Sequence, residues 1–437
     1  MSQPTDGILG FILLARHGDI DINGTILNST SIVPLATSLT PLGAQQEYDL
    51  GQKIRSLYLN SSASTSVSGL NTTVVDQNQI YARADAGRNG DAIVNSVAAL
   101  LQGMFSNDGA VMGAPNGYQN VEVDNDISLE GWVDCAPFDA STALFYASPE
   151  FKAKEDENAA FMSNLSQYLD GRAPTLKDMV YDFMKIESTH NEQFASTLPP
   201  TILEKAGELA NFHDQGVFTS PQPDGIGNVG GRTLLPSILN GISRIANESD
   251  PLKILYEGIT HQPFLSLFNM TKAVKMQPAL ANLMDYAAAI IIEVRRPVVP
   301  ESDVMLSFRF KNGSKDESFN RFNVLDQDGD VPMSLFISTM APLAINNTAE
   351  WCTNCQNTET RGCGVLATTA NQHAEKMSSF GAGFLGAAIG VFVATVGLVV
   401  LCVLVRRHKG SVAGGPSINE DNCWSCRTRT SSFESKV

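Results

Sequence analysis

Three features of the sequence predict an α/β fold, an open, mostly parallel sheet flanked by helices with a helical cap insertion, followed by one C-terminal transmembrane helix. Short apolar runs alternate with helical patterns at both ends of residues 1–365; a helical stretch separates the two ends; and Phe380–Val405 contains no charged residue. Alternation of strand and helix is the pattern of layered α/β proteins. A chain of 437 residues that is 43% hydrophobic and 17% charged also has ample material for a buried core.

The first strand is expected over Ile8–Ala15, a continuous apolar run interrupted only by Gly10, as suits a strand buried on both faces. A helix opens at Thr40-Pro41-Leu42-Gly43, with Thr40 as N-cap and Pro41 in the first helical position. Asn60–Thr73 reads as a loop, Gln79–Ala82 as a strand, and the residues after Gly90 as a second helix. From Ser148 to about Leu209 helical patterns dominate, and the cap insertion is expected over roughly 148–240. Sheet character returns at Leu252–Ile259, Ala287–Arg295 and Val304–Phe310, and Thr339–Ser379 reads as loop-rich, with 366–379 as a stalk.

Two motifs are set aside on context. Gly225-x-Gly227-x-x-Gly230 lies in a Gly/Pro-rich connector, Gly216–Gly231, with no preceding strand, so it is not a dinucleotide fingerprint. Asp326-x-Asp328-Gly329-Asp330 lacks the remaining ligands of a calcium loop and reads as a hairpin turn at Asp328-Gly329.

The run 380–405 exceeds the about 20 residues a helix needs to cross a bilayer. Arg406, Arg407 and Lys409 follow it, which predicts a cytoplasmic tail over 406–437 and a lumenal or extracellular N-terminal domain. The tail carries +3 of the net −16, leaving −19 on residues 1–405, a balance that excludes a nucleic-acid-binding surface. Sequons at Asn23, Asn28, Asn60, Asn71, Asn164, Asn247, Asn269, Asn312 and Asn346 all precede the helix and none follows it. The first residues lack the basic region and cleavage site of a signal peptide, so an upstream leader is the simpler expectation and an unusual export route the other.

Cys135, Cys352, Cys355 and Cys363 precede the helix and allow two disulfides in three pairings. A zinc set of Cys352, Cys355, Cys363 and His373 has no second C-x-x-C at finger spacing, so no metal is expected. Cys402, Cys423 and Cys426 lie in or beyond the helix.

Three of the strands end near residues suited to an anion: Arg16-His17, Arg83 and His261. Ligands of open α/β sheets bind at the carboxyl ends of strands, and arginine forks match phosphate oxygens. The segment ARHGD followed by LTPLGAQQEYDLGQKIRSLY resembles the start of the histidine acid phosphatases, which include fungal phytases. IYARADAGRNGDAIVNS, YEGITHQPFLSLFNM and DYAAAIIIEVRR are similar, in order, to that family's second phosphate segment, distal His motif and late strand.

That resemblance implies phosphomonoester hydrolysis without a cofactor. It makes His17 the nucleophile, Arg16 and Arg83 phosphate clamps, and His261 the distal donor to the phosphoryl oxygen, with Arg88 unassigned. Two positions depart from the pattern: Ile20 stands where a second Arg is expected, and Gln262 where the acid that protonates the leaving group is expected, Ile22 also replacing a Pro. Asp19 is the nearest replacement donor in sequence, with Asp85, Glu257 or a cap residue as others. The two readings are therefore a membrane-anchored phosphatase of weakened activity and an inactive pseudophosphatase that binds an anionic ligand as an interaction module. A small phosphorylated substrate or anion is the expected partner.

Overall fold

Strand β1 (Ile8–Arg16) is buried along all nine residues, and its side chains alternate between two apolar layers. In the computed structural model this strand is the centre of the sheet. The structure describes residues 7–22, 25–27, 32–34, 37–72, 75–87, 90–105, 121–126, 129–169, 171–178, 180–297 and 302–367. Asn23, Asn28, Arg88, His373, Cys402, Cys423, Cys426 and the run 380–405 lie outside them. Among the described residues no helix is long and apolar enough to cross a membrane.

After β1 come the short strands β2 (Ile20–Ile22), β3 (Thr25–Leu27), β4 (Ile32–Pro34) and β5 (Thr37–Leu39), paired β2 with β5 and β3 with β4. Helix α1 (Pro41–Ile54), β6 (Ile80–Asp85), α2 (Gly90–Met104) and β7 (Val123–Asp126) follow. Thr40 caps α1 as expected, its Oγ1 accepting from the Gly43 N–H. The cap helices are α3 (Ala136–Ala147), α4 (Pro149–Glu157), α5 (Ala159–Asn164), α6 (Val180–His190), α7 (Glu192–Thr197) and α8 (Pro200–Phe218). They enclose an apolar cluster of their own around Phe151, Leu165, Met184 and Leu209.

Helix α9 (Val229–Ala246) and β8 (Ile254–Ile259) return to the sheet, and α10 (Gln262–Met270) and α11 (Ala273–Met276) lead into β9 (Ala289–Arg295). Strands β10 (Met305–Lys311), β11 (Asn320–Arg321) and β12 (Val331–Pro332), then α12 (Met333–Met340) and α13 (Thr348–Asn354), complete the described chain. The sheet order is β11-β10-β9-β1-β8-β6-β7, with β12 also on β10. Helices α1 and α2 cover one face, while α9, α10 and α12 cover the other.

The sheet departs from the expected mostly parallel one. Strands β1, β8, β6 and β7 are parallel, but β9, β10, β11 and β12 pair antiparallel. Only residues 296–304 separate β9 from β10, fewer than the dozen or so a parallel crossover needs, so the strand reverses.

Other elements shift as well. The cap helices begin earlier than expected, and α9 belongs to the sheet layer because Leu234, Leu235, Ile238 and Ile242 pack into its core. That apolar face starts the helix at Val229 despite Gly230 and Gly231, so the connector shortens to residues 219–228. Asp328-Gly329 is a bend between two strands that both pair with β10, not a hairpin, and Asp326 is held by Lys272 and Lys275. The segment expected to be loop-rich contains α13, anchored by buried Trp351.

The cysteines settle on Cys135–Cys355 and Cys352–Cys363, separated by 220 and 11 residues. Both fasten α13 and its flank, the first to the start of α3. In the chain-entropy account the longer loop restrains the unfolded state more, by about 5 kcal/mol against about 3 kcal/mol. Replacing Cys135 and Cys355 by Ser is expected to lower denaturant stability more than replacing Cys352 and Cys363, and urea titration of the two double variants checks the order.

Candidate active site

The loop leaving β1 is clamped onto the start of α1. A Cβ on Gly18 would lie 2.3 Å from the Gly43 carbonyl oxygen, and one on Gly43 would lie 2.1 Å from that of Asp19, so both positions require glycine. Thr40 joins them, its hydroxyl donating to Asp19 Oδ2 at 2.7 Å and its N–H to the Asp19 carbonyl at 3.1 Å. The Asp19 N–H donates to Gln46 Oε1, and the Gly18 N–H to Ser96 Oγ of α2.

Within this clamp His17 is 3% exposed. Its Nδ1–H donates to the Gly18 carbonyl at 2.8 Å, which fixes the tautomer and leaves Nε2 with no partner among the described residues. Burial and then the Arg16 guanidinium push its pKa down to about 3, against the opposing pull of the Gly18 carbonyl. The imidazole is neutral, as a nucleophile must be.

Arg16 donates to the Met284 carbonyl and lies 4.7 Å over the Tyr286 ring. Its buried Nε has no acceptor among the described residues. Lys185 of α6 lies 4.5 Å from the same ring and is bonded to Asp285. Ile20 packs against Leu39, Ala92, Ile186 and Tyr286, so no cation comes from that position. Lys185, beside Ile186, is the ammonium that the cap brings near His17 instead.

Arg16 and His261 line one cleft together with Asp178, Tyr181, Asp182, His213 and Asp214. The strands β1 and β8 are neighbours, which brings the first two together. Arg83 is a correction. It lies within β6 rather than beyond it, ion-paired at 2.8 Å to Glu257 opposite it in register, and it lines a different cleft with Thr233 and Ser237 of α9. The sequence puts it at a strand end, but β6 runs three residues further, to Asp85.

Asp19 does not line the cleft: besides Thr40, its Oδ2 meets His190 Nε2 at 2.6 Å. Of the other donors considered, Asp85 accepts from the Gly87 N–H and Glu257 is held by Arg83. Gln262 begins α10, and its buried Oε1 has no donor among the described residues.

A chain of hydrogen bonds stands where no sequence expectation did. Tyr146 OH meets His213 Nε2 at 2.7 Å, His213 Nδ1 donates to Asp214 Oδ1 at 2.8 Å, and His261 Nε2 donates to Asp214 Oδ2 at 2.8 Å. Burial works against the Asp214 charge, but the two imidazole donors outweigh it and hold the carboxyl well below its usual range. Burial and Asp214 push the Tyr146 hydroxyl up to about 12, so it remains a donor. Among the described residues there are four histidines, 17, 190, 213 and 261: the last two meet through Asp214, His17 interacts with His261, and His190 pairs with Asp19. That scarcity, with the His213-Asp214 pair in a helix, was the available signal.

The model described as the Histidine phosphatase superfamily (branch 2) matches residues 6–204. Hafnia alvei phytase in its apo form has the same fold, with a TM-score of 0.54 at 12% identity over 79% of this chain and 98% of that one. Klebsiella sp ASR1 phytase gives 0.55 at 12% identity over 79% and 96%. Bifidobacterium longum multiple inositol polyphosphate phosphatase gives 0.50 at 11% over 78% and 93%. Among curated proteins none matches the chain.

Two consequences are measurable. Gly43→Ala should cost about 1–3 kcal/mol of stability, because backbone rather than a mobile side chain meets the new methyl; an unfolding midpoint unchanged by the methyl would contradict the clamp. For His17 the folded pKa lies below the unfolded one, so between about pH 6.5 and pH 3 the unfolded chain binds a proton that the folded one refuses. Stability contributed by the neutral state is thus present above pH 6.5 and lost as pH falls. His17→Ala removes that dependence, and its urea stability should fall less steeply over this window, by on the order of 1 kcal/mol per pH unit.

Proposed function

We propose that the chain is a phosphomonoesterase of the histidine acid phosphatase type, acting through a phosphohistidine on His17. The observation that carries this reading is the neutral His17 imidazole, with Nδ1 tied to the Gly18 carbonyl and Nε2 free, beside Arg16 at the carboxyl end of β1. Nε2 attacks phosphorus while Arg16 and His261 hold the phosphoryl oxygens; water then hydrolyses the phosphohistidine. Fixed donors and cations of this kind stabilise the charge that develops in the transition state. The match of residues 6–204 to a histidine phosphatase model supports it. So does the fold shared with Hafnia alvei phytase, which binds myo-inositol hexakis sulphate and tartrate. No cofactor enters this chemistry.

A second reading has its own support: Ile20 presents hydrocarbon instead of a cation, and Gln262 holds no proton to give. On this reading the domain is a pseudophosphatase that binds an anion without turning it over. Either way, the domain is a lumenal or extracellular one tethered by the apolar run 380–405, with the tail in the cytosol. Its two disulfides suit an oxidising compartment. Asn60, Asn71, Asn164, Asn247 and Asn346 are exposed sequon positions, Asn312 is half-buried, and Asn269 is an exception whose Nδ2 donates inward to Ser220 and Asn228.

Hydrolysis of 4-nitrophenyl phosphate by the full chain in detergent separates the two readings. The enzyme reading expects turnover that His17→Ala abolishes, with the acid limb of kcat/KM near pH 3, where His17 protonates, rather than near 6.5. Equal background from the folded wild type and the variant would favour the anion-binding reading.

A further inference from the structure

We infer that Asp182, on the cap helix α6, is the proton donor to the leaving group and takes over the role that Gln262 cannot perform. The inference rests on the phosphatase reading and deepens it. In-line displacement puts the attacking and leaving atoms on opposite sides of phosphorus. His17 does not itself line the cleft but adjoins Arg16 at the sheet end, which does, so on this reading the leaving oxygen faces the cap, whose carboxylates lining the cleft are Asp178, Asp182 and Asp214.

Two of these are committed elsewhere. Asp178 is ion-paired with Arg172 and accepts from the N–H and hydroxyl of Thr175. Asp214 accepts from both His213 and His261, each at 2.8 Å, and is held as an anion between them. Asp182 is half-buried and makes no hydrogen bond or ion pair among the described residues. Lys185, one turn further along α6, is bonded to Asp285 and meets Asp182 only through its charge. Asp182 is thus the cleft carboxyl whose oxygens are available to carry a proton.

The steps balance as follows. As Nε2 of His17 bonds to phosphorus, the P–O bond breaks, its electron pair passes to the leaving oxygen, and that oxygen takes the proton of the Asp182 carboxyl. A water oxygen then attacks phosphorus and gives a proton to the Asp182 carboxylate, while the P–N electron pair returns to Nε2.

The test compares substrates whose leaving groups need protonation to different degrees. With the full chain in detergent, Asp182→Asn is expected to lower kcat/KM for a simple alkyl phosphate by about 10²–10³-fold and for 4-nitrophenyl phosphate by less than about tenfold. Asp182→Glu, which keeps a carboxyl, is expected to recover part of the alkyl activity. The wild type alone gives an independent readout that does not depend on the variant folding: its rate should vary little across esters of rising leaving-group pKa. An equal fall on both substrates, no fall on either, or a steep leaving-group dependence in the wild type would overturn the assignment while leaving His17-dependent hydrolysis standing. Absence of any His17-dependent turnover overturns the phosphatase reading, and the donor role with it.

Discussion

The contact between two glycines, Gly18 after β1 and Gly43 in the first turn of α1, is the constraint on which the site depends. With backbone oxygens about to collide with any added methyl, the loop after β1 sits where only hydrogen atoms fit. That closeness lets Thr40 cap its own helix and hold Asp19 with the same hydroxyl. It also sets the Gly18 carbonyl where the His17 ring donates to it. The setting of the His17 ring therefore follows from backbone packing between a strand end and a helix start, with a backbone carbonyl as its hydrogen-bond partner.

Electrostatics then divide labour between the sheet and the cap. The sheet end supplies a neutral imidazole and Arg16, whose charge is one cause of that neutrality. The cap supplies the polar groups above them, with Asp214 shared between two imidazoles and Lys185 brought in by the helix that packs on Ile20. Residue 20 is hydrocarbon and residue 262 an amide, and the charged groups Lys185 and Asp182 lie on the cap helix. The apolar contact that Ile20 makes with Ile186 is part of what seats the cap helix bearing Lys185 and Asp182.

Much of the sheet was legible because the signals were local. Ile8–Ala15 is apolar at every position but Gly10, and only a strand buried on both faces asks for that. Thr40-Pro41 announced a helix start through capping chemistry that depends on neighbouring residues alone. The placement of Arg16, His17 and His261 at strand ends was legible because a strand end is a recognisable place. What stayed hidden depended on distant pairings. Antiparallel β9 and β10 look like parallel strands in sequence, and α9 reads as cap until its leucines are seen against β1 and β8. Arg83 was misplaced because strand ends blur by a few residues, which reverses a side chain's face. The link from His213 and Asp214 to His261 spans 47 residues and two elements, so no local pattern could announce it.

The central claim is that Nε2 of His17 becomes covalently phosphorylated. The most direct measurement is rapid acid-free quenching of the full chain with 4-nitrophenyl phosphate, followed by site-resolved mass spectrometry and ³¹P NMR of the trapped protein. The account predicts an acid-labile phosphoryl group on His17 alone, at Nε2, that is absent from His17→Ala. Turnover without any phosphorylated protein, or with the phosphoryl group on another residue, would contradict it.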